Sequence, residues 1–246
     1  MRWINRKPGP GLQLALMLAP FLLLVIAYGL GSAARLADNP SDKLLPALAS
    51  LTDAINRMAF TPDIRTGEYL LLTDTLASLS RLSWALAIAT AIALLVGMVV
   101  GMFPYLRALL APFIATLIVI GVAPPMIREL ALRVGELPRE QLIKAQTLGG
   151  SSWQIALRVV LPQTLPRLLT ALRLQLGSAW LFLIAAEAIS ADIGLGYRIF
   201  LVRRYFAMDV IFPYVAWITL LAVIMNFALE RLRIALFPWS SLERQG

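Results

Sequence analysis

"LSWALAIATAIALLVGMVVGMF", residues 82–103, contains no charged side chain and no proline across its 22 positions. About 20 mostly apolar residues are what a helix needs to cross the roughly 30 Å hydrocarbon core of a bilayer. The rest of the chain is of the same character. Of its 246 residues 59% are hydrophobic and 15% charged, and the mean hydropathy is +0.77. An ordinary soluble domain has about 45–50% apolar and about 25% charged residues. The apolar surplus overfills one soluble core and requires lipid.

Outward from that stretch, residues 12–32, 108–126, 168–189 and 210–229 also qualify as spans. All five should be helical, because a lone helix satisfies its own backbone in lipid. The expected fold is an all-α polytopic membrane helix bundle, one domain over 1–246. The N-terminus has basic residues, an apolar run and small residues at Gly31-Ser32-Ala33, in the manner of a signal peptide. Its apolar run is longer than a typical signal core and further spans follow, so it reads as a retained first helix.

The chain has no cysteine and no histidine, which removes disulfides, thiol chemistry and histidine metal sites. The net charge of +8 is spread among apolar spans, which points to basic cytoplasmic loops rather than nucleic acid. A membrane-bound enzyme would want acids or histidines clustered at one face, and none cluster. The phosphate-binding pattern Gly-x-x-x-x-Gly-Lys-Ser/Thr is also missing, so no cofactor is expected on this chain.

Basic residues near span ends set orientation. Arg2, Arg6 and Lys7 precede the first span without an acid, which places the N-terminus inside. Residues 33–80 hold six acids against four basic residues and should form an outer loop. Within it, Leu44, Leu45, Leu48, Leu51, Ile55 and Met58 recur at helical spacing, predicting a surface helix, and "TPDIRTGEY" reads as a turn. Residues 128–173 hold seven basic residues against three acids and should lie inside. The count then conflicts with itself. The second span ends inside near Arg107, the basic region is also inside, and residues 108–138 supply a single apolar segment.

That inside region contains "LIKAQTLGGSSWQIALRVVLPQTLP", residues 142–166, too polar to span. Residues 141–148 can form a short helix, and Gly149-Gly150 lets the chain turn where a side chain would obstruct. Ser151 or Ser152 can cap a following helix, and Pro162 and Pro166 should break or reset it. A short helix lying along the membrane in this way is shaped to lodge in a groove of a soluble partner.

The pattern resembles the EAA signature of permease subunits of bacterial ABC importers. There Glu-Ala-Ala is followed by three residues, Gly, nine residues, an aliphatic, one residue and Leu-Pro. Ala145, Gly149, Val159, Leu161 and Pro162 take the matching places, with Ile143 and Lys144 where Glu and Ala are usual. The resemblance implies that segment 139–166, with Gly150 completing the turn, contacts an ATPase and passes its motion to the spans. A second stretch, residues 185–225, resembles the nitrate/sulfonate/taurine branch of that family. There a Glu ends one span, Gly-Leu-Gly-Tyr makes a turn, and a short outer helix leads to the last span. Glu187, Gly194, Gly196 and Tyr197 are thereby candidates for a pathway or gate. The plainer reading of Glu187 is an interfacial carboxylate capped by Arg198 or solvent. Arg198, Arg203 and Arg204 either meet an acidic patch on a binding protein or snorkel. Gly97 and Gly101 form a GxxxG pair that allows close helix approach, within the subunit or to a second copy.

The resemblance further implies an inner-membrane protein paired with a second permease copy. Two ATPase subunits carrying ATP-Mg would dock inside and a periplasmic solute-binding protein outside, with no nucleic acid involved. The transported class would be small polar solutes, moved by alternating access. A secondary transporter or channel is the rival reading; repeated halves or charges within spans would favour it, and neither is visible. The family normally has six spans, two of them between the counterparts of Arg107 and the EAA loop. About 25–30 residues, roughly a span and a loop by length, are missing near Thr116-Leu117. Either one helix crosses over 108–128, or a helix broken at Pro124-Pro125 returns without crossing. Unpaired backbone is penalised in lipid, so the single helix is the expectation.

Overall fold

The computed structural model describes residues 9–40, 42–64, 66–118 and 121–239. Arg2, Arg6 and Lys7, which carried the orientation argument, lie outside the described residues. The helices in order are α1 (Pro10–Asp38), α2 (Leu48–Ile55), α3 (Leu70–Met102), α4 (Pro104–Leu117), α5 (Ala123–Gly135) and α6 (Arg139–Thr147). They continue with α7 (Ser152–Ile155), α8 (Leu161–Leu174), α9 (Leu176–Ser190), α10 (Leu195–Arg203) and α11 (Met208–Leu236). Among the described residues the fold is all-α and has four helices long and apolar enough to cross a membrane, or five if the bent pair α9–α10 counts as one.

The chain divides into two compact units, residues 1–71 with 199–215, and residues 72–198 with 216–246. In the first, none of the apolar window of α1 is buried, as expected of a helix whose solvent is lipid. Its far end is tied to the loop that follows. Tyr28 Oη donates to Pro46 O at 2.7 Å and Ser32 Oγ to Leu45 O at 3.0 Å. Asp42 accepts from the Leu44 N–H and pairs with Arg35, which holds its carboxyl below the usual carboxylate range. The surface helix begins at Leu48, not Leu44, and finishes in a π-helical turn over Asn56–Phe60.

In the second unit α3 is the central element. Its 33 residues span about 50 Å at 1.5 Å each, more than the hydrocarbon requires. The loop between α1 and α3 is correspondingly shorter than the 33–80 expected, because residues 70–81 are already helix. Phe103 is extended (φ −108°, ψ 103°) because Pro104 follows it, and the helix ends there.

The expectation of one helix over 108–126 is wrong. α4 ends at Leu117, and Pro124-Pro125 open α5 instead of ending a helix. Prolines fit a helix's first turn, whose N–H groups have no partner in any case. α4 and α5 pack against each other. A Cβ on Gly135, at the end of α5, would lie 2.6 Å from Arg107 Nη1 in the first turn of α4. The chain therefore comes back to the end of α3 that it left.

Two further expectations need correction. Pro162 and Pro166 do not break the helix: Ser152 to Leu174 runs on as one 23-residue stretch. A π-turn over Ala156–Val160 absorbs the strain, with Leu161 N–H donating to Ala156 O, five residues back. Residues 168–189 are not one helix either, since α8 and α9 separate at Gln175 (φ −87°, ψ −3°). The GxxxG pair is used inside the subunit. A Cβ on Gly97 would stand 2.9 Å from Leu130 Cβ, and one on Gly101 2.5 Å from Val134 Cβ, so α5 lies directly on α3.

Candidate functional site

Two constellations stand out in the second unit. The first is a helix–turn–helix platform over residues 139–160. α6 ends in a turn whose left-handed residue is Gly149 (φ +79°). Gly149 N–H donates to Gln146 O at 2.9 Å and Gly150 N–H to Ala145 O at 3.0 Å, the paired bonds of a Schellman C-cap. A Cβ on Gly150 would press to 2.8 Å of Ala145 O. Ser151, not Ser152, is the following cap. Its Oγ accepts from Gln154 N, and the Gln154 side chain accepts from Ser151 N, a complete capping box.

A small core fastens the platform. Val134, Ile155 and Val160 are buried, with Met98, Met102, Leu137, Leu142, Ala145 and Val159 packed around them. Gln163 Nε2 donates to Gln141 Oε1 at 2.9 Å, joining α8 to α6. Ala145 and Val159 therefore face inward, whereas Ile143, Lys144, Gly149 and Pro162 are exposed and Leu161 is half-buried. Leu148 at 87% exposure and Trp153 at 71% are the most open apolar side chains here. Sequence reading passed over both, although apolar residues flanking a Gly-Gly turn in a polar segment were a usable signal.

The second constellation is a buried polar knot. Asp74, Ser78 and Arg81 stand at i, i+4 and i+7, one face of α3. Asp74 and Ser78 are 0% exposed, and Glu187 near the end of α9 is 2% exposed. Ser78 Oγ donates to the Glu187 carboxylate at 2.8 Å, and Arg81 Nη1 donates to it at 2.9 Å. Arg81 Nη1 also reaches Ile193 O at 2.6 Å. Three N–H groups at the start of α10 are satisfied here: Gly194 N by Asp74 Oδ1 (3.0 Å), Leu195 N by Ser78 Oγ (2.8 Å) and Gly196 N by Glu187 Oε2 (2.9 Å). Arg198 pairs with Asp74 at 2.9 Å, so the suggestion that it caps Glu187 is corrected. Gly194 (φ +136°) has no room for a side chain, because a Cβ would lie 2.6 Å from the Glu187 carboxyl. The turn is residues 191–194, and Leu195, Gly196 and Tyr197 already belong to α10. Tyr197 is half-buried, and no hydrogen bond ties it to the knot among the described residues. Asp74 and Ser78 were missed because they were read as outer loop, and Arg81 because it fell between that loop and the span; the i, i+4, i+7 spacing was the available signal.

The knot closes one end of a cavity of about 1100 Å³ between α3 and α9, whose other end reaches Leu117 and Pro124. Farther along, Arg173 on α8 donates to Asn226 Oδ1 and Glu230 Oε2 on α11, both at 2.6 Å. Among the described residues no cluster of three or more Asp or Glu side chains is placed to hold a metal.

Comparison with known proteins sets these features in context. Residues 69–240 match the family described as binding-protein-dependent transport system inner membrane component. The taurine transport system permease protein TauC of Escherichia coli (strain K12) is 34% identical over 123 residues, 50% of this chain and 45% of that protein. SsuC of the same organism, assigned by its name to aliphatic sulfonates transport, is 27% identical over 124 residues, 50% of this chain and 47% of its own. The nitrate import permease protein NrtB of Synechococcus elongatus is 35% identical over 75 residues, 30% of this chain and 27% of its own. The chain thus spans about half the length, or less, of these curated relatives.

Proposed function

We propose, from the premise that this chain belongs to the family of binding-protein-dependent transport system inner membrane components, that it is a permease subunit of an ATP-driven importer. Its solute belongs to the small polar class named by its relatives: taurine, sulfonates or nitrate. A second copy completes the pathway, two ATPase subunits bind inside, and a solute-binding protein delivers from outside. The chain is a pathway subunit, not an enzyme, and ATP with its Mg²⁺ is handled by the ATPase.

The platform carries this reading. Its turn is held by backbone and cap hydrogen bonds, so Ile143, Lys144, Leu148 and Trp153 project outward from a rigid base without needing a partner to shape them. Ala145 and Val159 meanwhile key the base into the end of α3 and into α5. A push on the exposed side is transmitted to those helices, because packed cores are bistable rather than continuously deformable. Alternating access follows if ATPase closure supplies the push.

The test is Gly149→Trp in the chain expressed with its ATPase. The left-handed turn resists any side chain, and the bulk blocks the docking face. Solute uptake should fall by more than about tenfold, the effect of roughly 1.4 kcal/mol, with membrane abundance retained. Unchanged uptake together with unchanged ATPase copurification would remove the platform from the coupling role.

A further inference from the structure

The helix that leaves the platform ends in a charge. Ser152 to Leu174 runs on as one stretch, so α8 leads from the platform to the break at Gln175, with Arg173 in its last turn. There it meets the part of α11 that lies in the same unit, residues 216–236. Asn226, Glu230 and Arg233 stand at i, i+4 and i+7, one face of that helix. Arg173 Nε donates to Asn226 Oδ1 and Arg173 Nη1 to Glu230 Oε2, both at 2.6 Å. α11 is long and apolar enough to cross a membrane. Ionised groups are rare in such helices, pair with one another, and mark function more often than stability.

Glu230 holds two partners of different kinds. Arg233, three residues on, gives a local pair: its Nη2 donates to Oε1 at 2.8 Å and its Nε to Oε2 at 3.2 Å. The bond to Arg173 crosses 57 residues of sequence. If α8 moves away from α11, Glu230 keeps Arg233, and Arg173, whose side chain is 33% exposed, can turn its guanidinium to water. No buried charge is left alone. The knot behaves in the opposite way. Asp74 is fully buried and its carboxylate serves both Arg198 and the Gly194 N–H, so separation there strands groups away from water. Losing one partner of a buried pair is strongly destabilising, whereas a partly exposed pair is readily broken. The tie from α3 to α10 is therefore permanent and the tie from α8 to α11 reversible. We infer that Arg173 and Glu230 are positioning residues that form a release latch. They are joined in the conformation described here, and they part when a push on the platform moves α8, freeing α11. The inference deepens the importer reading and rests on it for the source of the push.

The experiment puts spin labels on Leu174→Cys and Arg231→Cys, exposed positions beside the latch on α8 and α11, in a chain with no cysteine of its own. The full chain is reconstituted in nanodiscs, alone and with its ATPase, and the label-to-label distance is read by double electron–electron resonance. One distance should dominate without nucleotide. A second should gain about fivefold or more in population when a non-hydrolysable ATP analogue and Mg²⁺ are added to the complex. Arg173→Gln should populate the second distance in the chain alone, and Arg173→Lys, which still reaches Glu230 with its charge, should not. Glu230→Gln should match Arg173→Gln, and the double variant should add nothing further, as expected of two residues acting as one unit. A static brace would instead lower the unfolding temperature without creating a second distance, and that result would overturn the latch. So would a nucleotide-driven second distance whose population Arg173→Gln leaves unchanged. Failure of the ATPase to copurify with the wild-type chain would count against the importer reading, and the arm on the chain alone would still decide the latch.

Discussion

The platform and the knot solve the same problem, a helix terminus with unpaired backbone groups, by opposite means. At the platform every capping bond is local: Gly150 to Ala145, Gln154 to Ser151, all within one short segment. At the knot the N–H groups of α10 are satisfied largely from far away, Gly194 by Asp74 at a separation of 120 residues and Leu195 by Ser78 at 117. The platform is exposed and the knot is buried. A local cap forms with its own helix and leaves the outer surface free to meet a partner. A long-range buried cap exists only when three helices are assembled, so it reports and enforces their assembly.

Substitutions should separate the two regions by magnitude. The largest effect belongs to Asp74→Ala. It removes the carboxylate that pairs with Arg198, whose side chain is only 17% exposed, and the acceptor of the Gly194 N–H. Removing one partner of a buried ion pair costs about 3–5 kcal/mol. A steep fall in unfolding temperature in detergent is expected, and a double Asp74→Ala/Arg198→Ala variant should recover part of it. A fall as small as that of a surface substitution would show that the knot does not enforce assembly.

Gly101→Leu tests the platform's seat. Its Cβ would already overlap Val134, and overpacking typically costs about 1–3 kcal/mol. Val134 belongs to the core beneath the platform, so loss of ATPase copurification should accompany the loss of stability. Retained copurification would mean that the platform is self-supporting. Ser151→Ala removes a capping box and should cost about 1 kcal/mol locally. It should raise amide exchange at Gln154 without moving the global unfolding temperature; a global shift would erase the distinction between local and long-range caps.

The smallest effect concerns pH at the loop after α1. Asp42 is held below its ordinary value by Leu44 N–H and Arg35. A depressed folded-state value stabilises above the unfolded value, near 3.9, and that stabilisation is lost as pH falls through the folded one. Acid sensitivity of this loop should therefore lie below about pH 4, weaken with added salt, and vanish in Asp42→Asn. Limited proteolysis across pH would read it. Sensitivity that survives the substitution would assign it to another carboxylate.

Much of the platform was legible in advance because it is built from neighbours. A glycine turn, a serine cap and an aliphatic–x–Leu-Pro ending each have a short-range physical cause. Glu187, Gly194, Gly196 and Tyr197 were read as candidates for a pathway or gate; the structure brings the first three into contact, whereas Asp74 and Ser78 on α3 were taken for loop. Nothing within a few residues of Asp74 shows that its carboxylate meets a glycine 120 residues later. The prolines misled in a characteristic way. Pro124-Pro125 look like a stop but serve as a start, and Pro162 looks like a break but sits beside a π-turn. Proline's missing N–H says where a helix bond is lost, not which side of it the helix lies on.

What the sequence determined by itself is the class of solvent and the presence of helices. Hydropathy sums over each stretch independently, so lipid-spanning α-helix follows without knowledge of neighbours. The platform's turn follows for the same reason. What only the tertiary structure decided is how the segment after Arg107 resolves, where α3 begins, and which groups satisfy the N-terminus of α10. Each of these depends on a balance between elements distant in sequence: α5 against Gly97 and Gly101, and the carboxylates of Asp74 and Glu187 against the backbone of α10. Pattern in one segment cannot encode such a balance, because the favourable contacts and the desolvation they must offset fall on different parts of the chain.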